Sequence, residues 1–239
     1  MKLLDLTFSS PWHNVACDEA LLLYCEATKC ESLLRFWQPQ DYFVVMGLSN
    51  KIHHEVNIQA CTVHQIPIIR RASGGGTIVN GPGCLNYTLV LDINLHESLH
   101  QINETYRWVL QRNRSFLNQL FTDEVEMKGI CDLAMNQLKF SGNAQRRKKS
   151  YILFHGTFLL NFDLPMIMKL LPMPSQQPDY RLNRSHQDFL ANLNLSPQVI
   201  MQEMSKEWQA TEEFTDIPFD LIDELVINKY QTEEWTYKF

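Results

Sequence analysis

Five of the chain's nine glycines fall between residues 74 and 83. A stretch this rich in glycine does not hold a helix, because glycine loses the most backbone freedom on ordering. It sits between strand-like runs: Pro67-Ile68-Ile69-Arg70-Arg71 before it, Thr77–Val79 within it and Leu85–Leu91 after it. Asn80-Gly81-Pro82-Gly83 is a strong turn signal between the last two. The chain is therefore committed here to short strands joined by tight turns. In Arg70-Arg71-Ala72-Ser73-Gly74-Gly75-Gly76 the absence of three successive side chains lets the backbone approach a ligand. Consecutive amides there can form an anion-binding nest, and two adjacent arginines can pair with phosphate or carboxylate. Taken alone, a plain glycine turn with solvated arginines accounts for this segment equally well. No Lys-Ser/Thr follows the glycines, as a Walker loop requires, and their spacing is not that of a dinucleotide-binding turn.

The remaining segments mix both periodicities. Residues 14–28 carry apolar positions at helical spacing, with Asn14 available as N-cap. Further helices are expected at 56–64, 98–120, 164–171, 186–193, 197–210 and 218–229. Strands are expected at residues 1–6, 33–37 and 42–46. Lys139–Arg146 and Tyr151–Asn161 read as a hairpin around Arg146-Arg147-Lys148-Lys149. Without strict strand–helix alternation, the class is α+β with a mixed, largely antiparallel sheet flanked by helices. Residues 1–239 read as a single domain, and segment 172–185 is the one loop long enough to act as a lid.

Composition excludes several functions. The formal net charge is −6 with no long basic stripe, which disfavours nucleic acid and anionic membrane. No run of about 18 apolar residues is present to span a bilayer. Six cysteines occur without a CxxC pair or zinc-ligand spacing, so no metal motif is expected. A chain of this size does not need disulfides, so the cysteines read as reduced thiols and the location as cytoplasmic.

Two further segments carry chemistry. Asp132-Leu133 precedes Lys139-Phe140-Ser141-Gly142-Asn143-Ala144-Gln145. Strand periodicity would place Lys139, Ser141 and Asn143 on one face. His155-Gly156-Thr157 lies in the next strand, where an interior glycine marks close approach. Alone, Lys139 reads as an exposed strand lysine and His155 as a hydrogen-bonded core histidine.

Taken in order, these segments resemble the lipoate–protein ligase A family of the biotin/lipoate ligase superfamily. The resemblance runs from Pro11-Trp12-His13-Asn14 and Asp18-Glu19 through Trp37, Val44-Val45-Met46-Gly47 and Arg70–Gly76. It continues with Leu85-Asn86-Tyr87, Asp132-Leu133, Lys139–Arg146 and His155-Gly156-Thr157. It implies a biotin/lipoate ligase type of catalytic domain that activates lipoic acid with ATP and Mg2+. The lipoyl-AMP so formed would be attacked by a lysine of an apo lipoyl domain, of a 2-oxoacid dehydrogenase E2 subunit or the glycine cleavage H protein. By resemblance Lys139 is the catalytic cation. Arg71, Ser73, Gly74, Gly75, Gly76 and Thr77 would hold phosphate and acyl carbonyl. Asn86, Asp132, Ser141, Gly142, Ala144, His155, Gly156 and Thr157 would line the rest of the site.

The chain departs from that pattern at Asn80-Gly81-Pro82-Gly83-Cys84, where family members commonly carry His-Asp-x-Gly-Asn. Cys84 and Cys131 are therefore candidate nucleophiles for an alternative, an ATP-independent lipoyl or octanoyl transferase working through a thioester. A non-catalytic lipoate- or carrier-binding protein is the other alternative. Longer family members continue into an accessory domain that is absent after Phe239, so a separately encoded accessory partner is one expectation. The basic turn 146–149 is expected to project near the mouth of the site, where it would steer an acidic acceptor.

Overall fold

The computed structural model describes residues 1–239. In chain order the elements are β1 (Lys2–Asp5), α1 (Pro11–Thr28), β2 (Leu33–Trp37), β3 (Phe43–Met46), α2 (Ile52–Glu55), α3 (Ile58–Val63), β4 (Ile68–Arg70), β5 (Ile78–Asn80) and β6 (Cys84–Asp92). After two 3-10 turns come α4 (Ile102–Leu117), β7 (Val125–Lys128), β8 (Asp132–Met135), β9 (Leu138–Arg147), β10 (Tyr151–Leu159), α5 (Pro165–Leu170), α6 (His186–Phe189) and α7 (Pro197–Glu207). The chain closes with β11 (Glu212–Glu213), α8 (Phe219–Leu225), a π turn over Val226–Tyr230, and α9 (Glu233–Thr236).

Eight strands form one sheet in the order β11-β1-β2-β6-β10-β9-β8-β7, and three form a second in the order β4-β3-β5. Only β11/β1, β1/β2 and β3/β4 pair in parallel; the other neighbours are antiparallel. This is the mixed, largely antiparallel α+β architecture expected from the sequence. Leu34, Phe36, Leu89, Phe154 and Phe158 pack one face of the large sheet against α4 and α7. Leu33, Val90, Tyr151 and Leu153 pack the other against α1 and α8. The three-stranded sheet has its own core of Val44, Met46, Val79 and Leu170. Removing these clusters from water is the main favourable term in folding.

Register decides which motifs meet. His155 of β10 lies opposite Thr88 of β6 and Ala144 of β9. Thr157 lies opposite Asn86 and Gly142, and Gly142 in turn opposite Asp132 of β8. Between β8 and β9 the register slips, with Leu133 against Ser141 but Ala134 against Lys139. One extra residue on β9 is thus accommodated, and side chains beyond the slip change face. The expected face of Lys139, Ser141 and Asn143 is not found. Lys139 instead reaches over Gly142, where a Cβ would stand 3.0 Å from its Nζ. Asn143 points to the other face and accepts from Tyr87 Oη at 2.6 Å.

Several boundaries differ from the sequence pattern for identifiable reasons. Helix α1 begins at Pro11, whose missing N–H suits a first helical position, so Asn14 is not the N-cap. Its side chain bonds Phe8 N and O at 2.9 and 2.7 Å and accepts from Arg35. The helix expected at 56–64 is interrupted at Val56-Asn57, where Asn57 caps α3. The helix expected at 98–120 begins only at Ile102. The helix expected at 186–193 stops at Phe189, because the chain beyond bonds to strands: Ala191 N to Lys139 O, and Leu193 N to Leu159 O. The helix expected at 218–229 changes to the π turn at Val226.

Asn14 ties the segment before α1 to β2 through four bonds, so Asn14→Ala strands a buried donor and acceptor on Phe8 and removes an acceptor from Arg35. The expected loss is about 1–3 kcal/mol, read as a lower urea midpoint with an unchanged m-value.

Candidate active site

A cavity of about 1110 Å³ opens where the small sheet leans over the α1 face of the large sheet. Its inner wall is apolar and includes Val15, Trp37, Val45 and Ile78. Strands β9 and β10 contribute Lys139, Ser141, Gly142, Ala144, His155, Gly156 and Thr157. Asn86, Cys131 and Asp132 line it from neighbouring strands and turns, and Arg71, Gly75, Gly76 and Thr77 from the glycine loop. The fold therefore gathers residues spread over more than eighty positions. Ser73, Gly74 and Cys84 do not line it.

The glycine loop is braced from within. Arg71 is 7% exposed. Its guanidinium donates to Ser73 Oγ at 3.0 Å, Gly74 O at 2.6 Å and Gly76 O at 2.8 Å. Burial lowers its pKa to about 10, so it remains a cation at neutral pH. Gly75 adopts φ +87°, a left-handed conformation that side chains resist. With the carbonyls turned onto Arg71, no amide from Ser73 to Thr77 donates to another part of the chain. Arg70 points away from the cavity. It donates to Gly47 O, Leu48 O and Asn50 O and, on the other side, to Trp235 O and Thr236 O. Neither arginine offers a free fork to an anion, contrary to the sequence expectation; buried guanidinium N–H groups must be satisfied, and backbone carbonyls are the nearest acceptors. The anion-binding capacity lies in the loop amides.

Beneath the loop runs a chain of hydrogen bonds not anticipated from the sequence. Arg71 can only donate, so Ser73 Oγ accepts from it, and the same hydroxyl hydrogen-bonds His155 Nε2 at 2.6 Å. His155 Nδ1 then donates to Asp18 Oδ2 at 2.9 Å. Asp18, on α1, also accepts from Arg35 at 2.7 Å and from Thr88 at 2.8 Å. Burial opposes ionisation of Asp18, but the His155 bond, the Arg35 charge and the Thr88 bond outweigh it and hold the carboxyl below the usual range. In the sequence Asp18 stood out only as part of Asp18-Glu19 in the family resemblance, with no role assigned to it.

At the other end, Lys139 Nζ pairs with Asp132 Oδ1 at 2.7 Å, with the lysine side chain 25% exposed and the aspartate 6%. Tyr180 donates to Asp132 Oδ2 at 2.8 Å. Burial first, then the Asp132 charge, push the Tyr180 hydroxyl far above its ordinary pKa, so it stays a donor. Tyr180 belongs to segment 172–185, which does cover the cavity and is anchored by the buried Arg181 on Arg184 O and His186. Thr157 donates to Asn86 Oδ1 at 2.6 Å, and Asn86 exchanges two bonds with Asn80. Thr77 bonds Asn50. Ser141 Oγ is buried without a partner on the cavity wall. The room at Gly156 is taken by Asn143 and Tyr87 rather than by a ligand.

The two cysteine candidates separate. Cys84 is 2% exposed and outside the cavity, and burial pushes its thiol up to about 12, so it is not a nucleophile for a cavity-bound substrate. Cys131 is half-buried on the cavity wall, with Sγ 3.7 Å from Asp132 Oδ1. Burial and then Asp132 raise its pKa, opposed by Lys139. The basic turn does not reach the mouth. Its strand end lies four residues beyond His155 on β10, away from Lys139. Arg147 is occupied by Leu99 O and Thr105 Oγ1. Only Lys148 and Lys149 are exposed. Hairpin length decided this, because β9 and β10 run well past the cavity before turning.

A ligand-sized cavity floored by an antiparallel sheet, with unpartnered loop amides at one wall and a lysine–aspartate pair at the other, is the site of a small-molecule-binding α+β domain. Residues 10–211 match the lipoyl protein ligase A/B catalytic domain, and the chain belongs to that family. It is 26% identical to octanoyltransferase LipM of Anoxybacillus flavithermus, covering 99% of this chain and 98% of that protein. It is likewise 26% identical to lipoate–protein ligase 1 of Staphylococcus aureus, over 96% of this chain and 70% of that one. Among solved structures, a lipoate–protein ligase A bound with ATP superposes with a TM-score of 0.83 at 23% identity, covering 99% of this chain and 98% of that one. A bipartite lipoate protein ligase from Thermoplasma acidophilum gives 0.82 at 22%, covering 99% and 95%. The chain is thus an enzyme of a family that contains both ligases and octanoyltransferases. No helix is long and apolar enough to cross a membrane.

Asp18 has a depressed folded pKa, so its stabilisation is complete above the unfolded value near 4 and is lost as pH falls through the lower folded value. Asp18→Asn should therefore lower the denaturation midpoint at pH 7, with the gap to wild type closing below about pH 4; urea titrations across pH 2–7 measure it.

Proposed function

We propose that the chain is a lipoate–protein ligase, forming lipoyl-AMP from lipoic acid and ATP and passing the lipoyl group to a lysine of an apo lipoyl domain. The observation that carries this reading is the run of unpartnered amides from Ser73 to Thr77, of which Gly75, Gly76 and Thr77 line one cavity with Lys139. An acyl chain has no use for such a nest, whereas a phosphate does. The cavity's size agrees, since about 1110 Å³ exceeds what an eight-carbon acyl chain fills and lies at the top of the range for small-molecule sites.

In the first step a carboxylate oxygen of lipoic acid attacks the α-phosphorus of ATP, and pyrophosphate leaves; Mg2+ entering with ATP would neutralise phosphate charge. Lys139 exchanges Asp132 for the α-phosphate, opposing the charge that grows on the equatorial oxygens. Asp132 remains held by Tyr180 while this occurs. The loop amides hold the phosphate, and the Ser73–His155–Asp18 chain holds the loop. In the second step the acceptor's amine attacks the acyl carbonyl, the mixed anhydride C–O bond breaks, and AMP leaves. The apolar wall around Trp37 and Val45 takes the acyl chain. The acceptor is an apo lipoyl domain of a 2-oxoacid dehydrogenase E2 subunit or the glycine cleavage H protein. A separately encoded accessory protein is a further proposed partner, and the cytoplasm the proposed location.

A second reading rests on one observation, the half-buried Cys131 thiol on the same wall as Lys139. In an ATP-independent transferase that thiol would carry the acyl group as a thioester, with Lys139 drawing it toward the thiolate.

Mixing the protein with lipoate and ATP·Mg should release pyrophosphate and, with an apo lipoyl domain present, add a lipoyl group to its mass. Acyl transfer from an acyl-carrier donor without ATP, with no pyrophosphate in the lipoate assay, would overturn the ligase reading. Lys139→Ala should lower lipoyl transfer by about 10²-fold or more, the scale of losing a preorganised charge, measured at a temperature where circular dichroism shows the variant folded, because the buried Asp132 loses its cation and some stability goes with it. Cys131→Ser should keep most of the activity and accumulate no acyl-thioester; intact-mass analysis of the enzyme after turnover reports either outcome.

A further inference from the structure

The cavity does not use the two thiols at the opposite end of α1. Cys25 sits in the last helical turn and is fully buried. Lys29 follows in the left-handed conformation at φ 58°, with its N–H on Cys25 O. This is the αL helix end that reverses the chain direction. It brings Cys30 back over Cys25, and the Cys30 thiol meets the Cys25 sulfur at 2.6 Å. The placement is held from a third element, because Tyr151 of β10 donates its hydroxyl to Cys30 O at 2.6 Å. Cys30 is half-exposed, whereas Cys25 has no access to solvent. Neither residue lines the cavity.

The two sulfurs are thereby differentiated. Contact between the two sulfurs favours the thiolate at Cys30, while that contact and burial push the Cys25 thiol up. A solvent-reachable thiolate beside a second, shielded thiol is the arrangement of an attacking and a resolving cysteine. Of the other four thiols, Cys17, Cys61 and Cys84 are buried singly, and Cys131 has Asp132 rather than another sulfur beside it.

We propose that Cys25 and Cys30 form a redox-active pair, a modification site separate from the acyl-transfer cavity, which hydroperoxides convert to an intramolecular disulfide. The Cys30 thiolate attacks one oxygen of the hydroperoxide, the O–O bond breaks, and hydroxide or alkoxide leaves. Cys30 becomes a sulfenic acid. Cys25 then gives up its proton and attacks that sulfur, the S–S bond forms, the S–O bond breaks, and water leaves. Two electrons pass from the two thiols to the peroxide, and a dithiol reductant restores the pair.

The test is hydrogen peroxide added to the folded, full-length wild type, followed by intact-mass analysis and peptide mapping under non-reducing conditions. The expected product has lost two hydrogen atoms, and its cross-linked peptides join Cys25 to Cys30. In Cys25→Ser the resolving thiol is gone, so Cys30 should accumulate sulfenic acid that dimedone captures. In Cys30→Ser, peroxide-dependent oxidation at Cys25 should fall by more than about tenfold, since its sulfur is shielded. If Cys25→Ser does not fold, the wild-type peptide map decides alone. Oxidation that begins at Cys131 while Cys30 stays reduced would overturn the proposal. So would Cys30 proceeding to sulfinic acid in the wild type without a disulfide, or no reaction at either thiol.

Discussion

A carboxylate that is 4% exposed cannot remain charged unless its surroundings replace the water it has lost, and Asp18 is the group on which this structure turns. Arg35 from β2, Thr88 from β6 and His155 from β10 all converge on it from α1's neighbours. Each of those contacts needs the correct register of three strands and the correct depth of the helix. The pairing in turn fixes His155, which fixes Ser73, which with Arg71 fixes the glycine loop. A flexible triple-glycine segment thus acquires a single geometry from a buried ion pair two links away. The amides of Gly75 and Gly76, left without protein acceptors, are tolerable because both residues are exposed to solvent.

The opposite wall depends on a different device. Without the register slip between β8 and β9, Lys139 would project on the core side with Phe154 and Phe158, where an unpaired ammonium is costly. The slip turns it onto Asp132, and the lid's Tyr180 completes that carboxylate's partners. Lys139 is therefore held by a single carboxylate partner rather than by a network of fixed bonds. The same half-buried setting leaves the Cys131 thiol beside Asp132.

The local chemistry was legible in the sequence, and the tertiary pairings were not. The glycine loop, the hairpin strands and the mixed sheet follow from glycine's backbone cost and from period-two patterning, both properties of neighbouring residues. Lys139, Asp132, His155 and Thr157 were recognisable by their segments, and the fold does collect them. Helix ends were less legible, because Leu193 and Asn194 trade helical bonds for bonds to the chain after β10, a choice visible only once the strands are in place.

What the sequence by itself determined is the family, the α+β class and the segments from which the cavity draws most of its polar lining, because those rest on residue types and short spacings. Tertiary structure alone decided four things. It turned Arg70 and Arg71 onto backbone carbonyls, moved Lys139 to a new face, buried Cys84 while leaving Cys131 open, and carried the basic turn away from the mouth. The physical reason is common to all four. Where a charge or a thiol ends up depends on which groups from distant elements can satisfy it after water is excluded, and a one-residue change in register redistributes those partners.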